Sequence, residues 1–418
     1  MGTEYIERWA AAELRQILSF QRAAVVVGAR QCGKTTLVKN ELADRLVYLS
    51  LDDPAYSRMA HDDPVFLTRQ GGQSCLVIDE IQKAPELIGL IKMRVDEDPR
   101  PCQFVLTGSA DYRRLPFVSD SLAGRASFVR LRGLAEAESR GARPDFLERA
   151  FERNFPALPE LEACSKRDAL DLAIRGGYPA VRTLNEPSRK RYFRSYVEAQ
   201  IKHDLARHWN MERLDALETL IRYAAVYSSK PLNLSEISKR VQASRGTVSG
   251  YLKALQAMYL VDELPAWLHN EYDIGSKVPK LFMADTGLMA YLLRKPNADA
   301  VLASALDAPD VCGKLVETWI YNQIAPEVDL HPGWQMTHFR NGNRQEIDFL
   351  IEDDAGRMLG IEVKSSETVS KDDARHLLWF AQRSPKPFTG IVLHCGRQVL
   401  SFGEGCYALP YSALWSVS

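Results

Sequence analysis

Residues 23–37 read AAVVVGARQCGKTTL, and no other stretch of the 418-residue chain limits its fold as tightly. A β-branched run passes into G-x-x-x-x-G-K-T and then into a helical pattern, the strand and helix context that a phosphate-binding loop requires. Gly28 and Gly33 let the backbone close around an anion, and Ala29, Arg30, Gln31 and Cys32 between them present N–H groups to it. Lys34 brings a cation to the β and γ oxygens, Thr35 offers a hydroxyl to magnesium, and Thr36 belongs to the helix whose N-terminus adds to the anion site. The cofactors this predicts are ATP and Mg2+.

A second element supports the loop. Residues 75–80, CLVIDE, form an apolar strand ending in two carboxylates, with Asp79 placed to hold the metal and Glu80 to polarise the attacking water. Residues 45–52 (RLVYLSLD) and 103–109 (QFVLTGS) read as two further strands, the latter ending in Thr107 and Ser109, either of which would sense the γ-phosphate. This order of elements is similar to that of AAA+ ATPases, in which an extra strand lies between the loop strand and the acidic strand. That likeness gives Arg125, in SLAGRASFVRL, the role of reaching a neighbouring subunit's γ-phosphate and so implies a homo-oligomer. A local ion pair with a carboxylate is the alternative for Arg125.

The length predicts about three domains. Lys and Arg total 53 against 54 Asp and Glu, so nucleic-acid contact must come from a local basic face rather than from net charge. Seven cysteines show no C-x-x-C pair and no zinc spacing, which points to a reducing, cytoplasmic setting without a disulfide framework. No apolar run reaches a membrane span, and the start of the chain does not read as a signal peptide.

Residues 132–215 read as a helical lid. Its segment from Arg182 to Arg213 holds eight Lys or Arg against four Asp or Glu, with Tyr192, Phe193, Tyr196 and Trp209 interleaved, a pattern that a solvated face over an aromatic stripe explains as well as a nucleic-acid face does. Residues 234–264 then give LSEISKRV, QASRG and TVSGYLKALQAMYLVDEL. A short helix capped by Ser235, a tight connection, a second helix and a β-like end make a winged helix-turn-helix pattern. In a DNA-binding module of this kind Ser244, Arg245, Thr247 and Ser249 meet base edges and Lys253 meets phosphate, although winged helices also dock proteins.

From residue 296 the order is helix, three strands, helix, strand, as in restriction-endonuclease-like cores of the PD-(D/E)XK type. Asp348 lies on one strand, and Glu362 and Lys364 on the next share one face. By that resemblance Asp348, Glu362 and the helical Glu317 hold magnesium, while Lys364 orients or deprotonates a water for phosphodiester hydrolysis. Ile347 stands where the family motif often has Pro, and cleavage itself is left open.

Y-I-E-R near the start, GARQCGKTTL, LVIDEIQKAP, LTGS, LAGR, GGYP, PKLFMADTGL and EIDF…IEVKSS run through nearly the whole chain. Together they resemble a large prokaryotic family of AAA-like ATPases carrying a C-terminal domain of unknown function. The expected fold class is multidomain α/β: a parallel-sheet ATPase core over 1–131, the lid over 132–215, the winged helix over 216–275, a linker over 276–295 and the nuclease-like domain over 296–418. The function this implies is an ATPase that binds DNA, duplex or branched, and couples nucleotide state to the nuclease-like domain. The alternative is a nucleotide-loaded signalling or scaffold ATPase that binds protein without cleaving nucleic acid.

Overall fold

Every residue of β1 (Ala23–Val27) is buried, which requires a strand inside a sheet covered on both faces. The computed structural model describes residues 5–43, 46–109, 122–156, 161–201, 214–268, 278–303, 308–341 and 345–416. Two compact units emerge, the first comprising Met1–Gly133 with Leu255–Leu260, the second Leu134–Ala254 with Val261–Ser418.

The first unit is built on a five-stranded sheet with β1 beside β4 (Phe104–Gly108) and β5 (Ala126–Arg130). With β2 (Leu46–Ser50) and β3 (Cys75–Asp79) the order is β2-β3-β4-β1-β5, and every pairing is parallel. The extra strand between the loop strand and the acidic strand is therefore present as β4. In parallel sheets of this kind the ligand-binding crevice lies beyond the carboxyl ends of the strands. Residue 28, Asp79, and the Thr107–Ser109 segment all come from those ends.

The second unit holds two sheets. In the smaller, β6 (Lys230–Pro231), β8 (Lys280–Met283) and β7 (Val261–Leu264) pair antiparallel in the order β6-β8-β7. The helices Leu234–Val241 and Arg245–Ala257 lie between β6 and β7 in sequence. The first of these is capped by Asn233, not Ser235: the Asn233 side-chain oxygen accepts from Glu236 N–H at 3.2 Å, and Ser235 already lies inside the first turn. The stretch expected to be a linker is also corrected. It contains β8, whose residues are all buried, and the helix Thr286–Leu292, because KLFM is apolar and its one cation is matched by carboxylates described below.

The larger sheet has the order β13-β14-β12-β11-β10-β9, with β9 (Gln335–Arg340), β10 (Glu346–Glu352), β11 (Met358–Lys364), β12 (Phe388–His394), β13 (Leu400–Gly403) and β14 (Cys406–Pro410). β9, β10 and β11 run antiparallel, whereas β12 pairs parallel with both β11 and β14. The helix Arg375–Ala381 closes one face through Leu377 and Phe380, packed with Ile347, Leu350 and Phe388. Residues 202–213, with Trp209 of the expected aromatic stripe, and residues 269–277 at the end of the expected winged helix lie outside the described residues, as do Arg45 and Ser121. Among the described residues no helix is long and apolar enough to cross a membrane.

Candidate functional site

The loop after β1 is held in shape by its own backbone. Gly28 has φ +155°, and a Cβ there would stand 2.1 Å from the Leu131 carbonyl oxygen, so no other residue fits without moving β5's exit. Gly33, at φ 105°, opens the helix Lys34–Glu41. Cys32 is buried, and its carbonyl accepts from the Arg8 guanidinium at 2.8 Å, while the same side chain donates to Arg132 O at 2.8 Å. Arg8, itself 5% exposed, thus braces the loop from the N-terminal Y-I-E-R segment. Sequence reading quoted that segment without assigning it a job.

Lys34 folds back over the loop, its ammonium donating to Gly28 O and Ala29 O, each at 2.9 Å. Thr35 Oγ1 lies 3.3 Å from Asp79 Oδ2. Asp79 also accepts from the hydroxyls of Thr107 and Tyr48. Burial, and then the Asp79 carboxylate, pushes the Tyr48 phenol up, so it remains a donor. Tyr48, the central residue of β2, was missed because one tyrosine in a strand carries no motif. Thr107 is fully buried and spent on Asp79, whereas Ser109 sits beside Glu80 at 3.4 Å, with Gln82 donating to both. Of the two hydroxyls expected to sense phosphate, only Ser109 is grouped with the second carboxylate. Glu80 occupies the left-handed region at φ 58°, a conformation that costs about 1 kcal/mol and turns its carboxylate away from the strand. The donor set fits a nucleotide and its metal: two glycines that admit phosphate, an ammonium, and hard oxygen donors on Thr35 and Asp79. A magnesium ion bound there would neutralise phosphate charge.

In the second unit the register of β10 on β11, Phe349 opposite Ile361, brings Asp348 and Glu362 together. Asp348 Oδ2 accepts from Val363 N–H at 3.0 Å, and Glu362 Oε2 from Lys364 at 3.3 Å. Into this cluster comes Lys280 from β8. Its side chain is 2% exposed, and its ammonium lies 3.0 Å from Glu317, 2.9 Å from Glu346 and 3.1 Å from Asp348. Burial alone would push Lys280 down, but the fields of Glu317, Asp348 and Glu346 hold it well above the ordinary lysine value. Burial and the Asp348 charge push Glu317 and Glu362 upward. Glu362 Oε1 is buried without a hydrogen-bond partner, 3.7 Å from His376 Nδ1.

Glu317, Asp348 and Glu362, expected to hold magnesium, are brought together in this arrangement with the Lys280 ammonium among them. A hard divalent cation needs several oxygens turned to one point. Here Glu317 and one Asp348 oxygen are turned to an ammonium, the other Asp348 oxygen to an amide, and one Glu362 oxygen remains. Among the described residues no group of three His, Cys, Asp or Glu side chains is arranged to hold a metal ion.

Comparison with known proteins matches three segments of the chain. Residues 20–139 match the profile described as AAA domain, residues 166–299 a domain of unknown function (DUF8612), and residues 312–414 a second (DUF4143). Residues 20–139, which hold the P-loop, thus match an AAA domain, and residues 312–414 a DUF4143 domain. The protein hydrolyses ATP. The ATPase is 26% identical over 366 residues to uncharacterized proteins Rv2008c of Mycobacterium tuberculosis and Mb2031c of Mycobacterium bovis, an overlap of 87% of this chain and 75% of each relative. Among solved structures it is similar to the Walker-type ATPase PABY2304 of Pyrococcus abyssi, with 14% identity, a TM-score of 0.40 and coverage of 68% of this chain and 94% of that one. It is also similar to the Thermotoga maritima RuvB Holliday junction branch migration motor, at 18% identity, a TM-score of 0.29, and 61% and 89% coverage.

Arg125 of the ATPase is not brought to its own nucleotide loop. Ala126 pairs with Ala23 and Arg130 with Val27, so Arg125 lies at the opposite end of the sheet, about 16 Å away along a five-residue strand. There its guanidinium makes a two-point contact with Asp96 at 2.6 and 2.9 Å. On the helix Arg245–Ala257, Arg245 and Lys253 are exposed, and Thr247 and Ser249 are half-buried. Ser244 serves that helix directly: its Oγ accepts from Thr247 N–H at 3.1 Å and bonds Thr247 Oγ1 at 2.8 Å. Two of the five side chains expected to meet DNA are thereby engaged in capping.

Proposed function

We propose that the protein is a magnesium-dependent ATPase switch that engages DNA through a winged helix over residues 234–264, and whose C-terminal domain, nuclease-like in element order, binds without cutting. The observation that carries this reading is the Lys280 ammonium among Glu317, Glu346 and Asp348. A protein cation built into a carboxylate cluster supplies charge balance but no exchangeable coordination position, and hydrolysis of a phosphodiester by metal assistance needs one. Support for the DNA contact is the exposure of Arg245 and Lys253 on one helix, with Ser244 fixing that helix's start. Nucleotide state, read by Asp79, Glu80 and Ser109, governs how the switch engages its DNA.

One experiment tests this. Single-stranded, duplex and branched DNAs are incubated with the protein and magnesium or manganese, with and without ATP, beside Asp348→Ala. The expected result is ATP hydrolysis and duplex binding with every strand intact in both proteins. Cleavage by the wild type that Asp348→Ala abolishes would overturn the non-cutting reading. Duplex affinity unchanged by Arg245→Ala and Lys253→Ala would overturn the docking face.

A further inference from the structure

Six cations converge on one cavity of about 560 Å³ in the second unit: Arg189, Lys190 and Arg194 from the helix Glu186–Ser195, Arg222 from the helix Leu214–Val226, and Arg294 and Lys295 beyond the helix Thr286–Leu292. Glu186 is the one carboxylate among the lining residues, and its Oε2 accepts from Asn297 at 2.8 Å. Such a concentration of like charge costs free energy unless an anion answers it. Among the described residues the ion pairs to these cations lie at the rim, where Arg194 pairs with Glu198 and Arg222 with Glu218, both at 3.3 Å and both exposed, while Glu186 and Asp171 act on Arg189 without an ion pair. Deeper in, the donors are met by neutral groups. Arg189 donates to Pro296 O at 3.0 Å and Lys295 to Ala300 O at 3.1 Å, contacts that satisfy hydrogen bonds and leave the charge uncancelled. Burial pushes the Arg189 guanidinium below its ordinary value, against the opposing pull of Glu186.

The wall of this cavity is rigid. Phe193 and Tyr291 line it, their ring centroids 6.0 Å apart, and Phe193 is 1% exposed. Behind them the buried Asp285 carboxylate accepts from Gly177 N–H and Leu288 N–H, each at 2.7 Å. A Cβ on Gly176 would lie 2.7 Å from Gly287 N, so the GGYP turn and the ADTGL turn lock together at a position where a side chain has no room. Guanidinium forks over an aromatic wall suit the planar, multiply charged faces of phosphate esters better than they suit a lone carboxylate. The volume is that of a nucleotide-sized ligand. All the lining residues fall within 166–299, the segment matched only as a domain of unknown function.

We propose that this cavity is a second phosphate-binding site of the ATPase, separate in sequence from its nucleotide loop, which takes phosphate esters either as a free nucleotide-sized polyphosphate or as the backbone of a nucleic-acid strand. It does not depend on the winged-helix reading. The test uses full-length protein carrying Lys34→Ala, which removes the loop's principal phosphate contact. Inorganic tripolyphosphate is titrated calorimetrically, and a fluorescein-labelled single strand by anisotropy. Each is repeated with Lys190→Glu plus Arg294→Glu, two exposed positions, and with the milder Lys190→Gln plus Arg294→Gln. At least one probe binds, and the charge reversal weakens it by roughly tenfold or more, the loss of charge-assisted contacts to phosphate. The neutral pair weakens it less. Tripolyphosphate alone identifies a free polyphosphate as the source; the strand alone identifies nucleic acid. Binding of neither probe, or binding indifferent to both double substitutions, would overturn the site.

Discussion

Replacing Lys280 by Met removes an ammonium and keeps its volume. Three carboxylates then lose their shared counter-charge, with side-chain exposures of 17% for Glu317, 34% for Glu346 and 14% for Asp348. Breaking a buried ion pair from one side costs about 3–5 kcal/mol. Glu346 is a third exposed and solvent screens its share, so the lower figure of about 3 kcal/mol is the better expectation. For a unit of this size that is roughly 6–12 °C of melting temperature. The cost has a sign with pH. Unpartnered carboxylates take protons more readily folded than unfolded, and Glu317 is pushed up to about 8 even beside the ammonium, so the penalty keeps growing as the pH rises past about 8 and shrinks toward about pH 5, where they are neutralised. Circular dichroism melts of wild type and Lys280→Met at both pH values measure it. Millimolar manganese should recover part of the loss in the variant and leave the wild type unmoved, since only the variant turns several free oxygens to one point. A variant that melts with the wild type at the higher pH would refute the reasoning, because the ammonium would then be balancing nothing.

Lys34→Ala should abolish ATP turnover, and Glu80→Gln should retain nucleotide while slowing turnover by a factor of about 100 or more, as for loss of a group that positions water; filter binding and phosphate release separate the two. Arg125→Ala should keep turnover within a few fold, because its guanidinium is held by Asp96 in an exposed pair. Loss of turnover in Arg125→Ala that mixing with Glu80→Gln partly restores would instead assign Arg125 to a neighbouring subunit's site. His338 is 2% exposed, and burial followed by the Lys280 charge pushes it down to about 4. Its folded value lies below its unfolded one, so its contribution is present above about pH 6.5 and is lost as the pH falls toward 4, up to roughly 3 kcal/mol. Chemical denaturation across that window should show the slope, and His338→Gln should flatten it.

How much of this was legible in the sequence depends on how far apart the partners lie. The nucleotide loop is local: Gly28, Gly33, Lys34 and Thr35 sit within one turn and one helix start, and motif spacing alone placed them. The strands β1, β3 and β4 were also legible, because a buried parallel strand needs an uninterrupted apolar run and each of these three has one, whereas their order came from the resemblance. Arg8 on the Cys32 carbonyl and Tyr48 on the Asp79 carboxylate were not, since they join groups 24 and 31 residues apart through contacts that no periodicity encodes. Residues 276–295 misread as a linker for a related reason. A four-residue strand beginning with lysine has the composition of a connection until its carboxylate partners, 37 and 68 residues further on, are known.

That short segment links the two unexpected features of the second unit. Lys280, at the start of β8, balances the carboxylates contributed by the helix Ala308–Asp329 and by β10, while Asp285, one turn beyond the end of β8, holds the GGYP turn through Gly177. Both are buried charges of opposite sign on a single strand and its exit, and each is satisfied by groups distant in sequence. A buried charge is retained at a cost, and hydrophobic replacements of equal volume are often no less stable. Two of them on one strand are therefore poorly explained by stability alone. They are explained if β8 must fix two things at once: the geometry of a carboxylate cluster that carries its own cation, and the wall of a basic cavity that does not carry its own anion. The motif PKLFMADTGL then has a physical reading, as the element that sets Lys280 among its carboxylates at one end and Asp285 under the GGYP turn at the other.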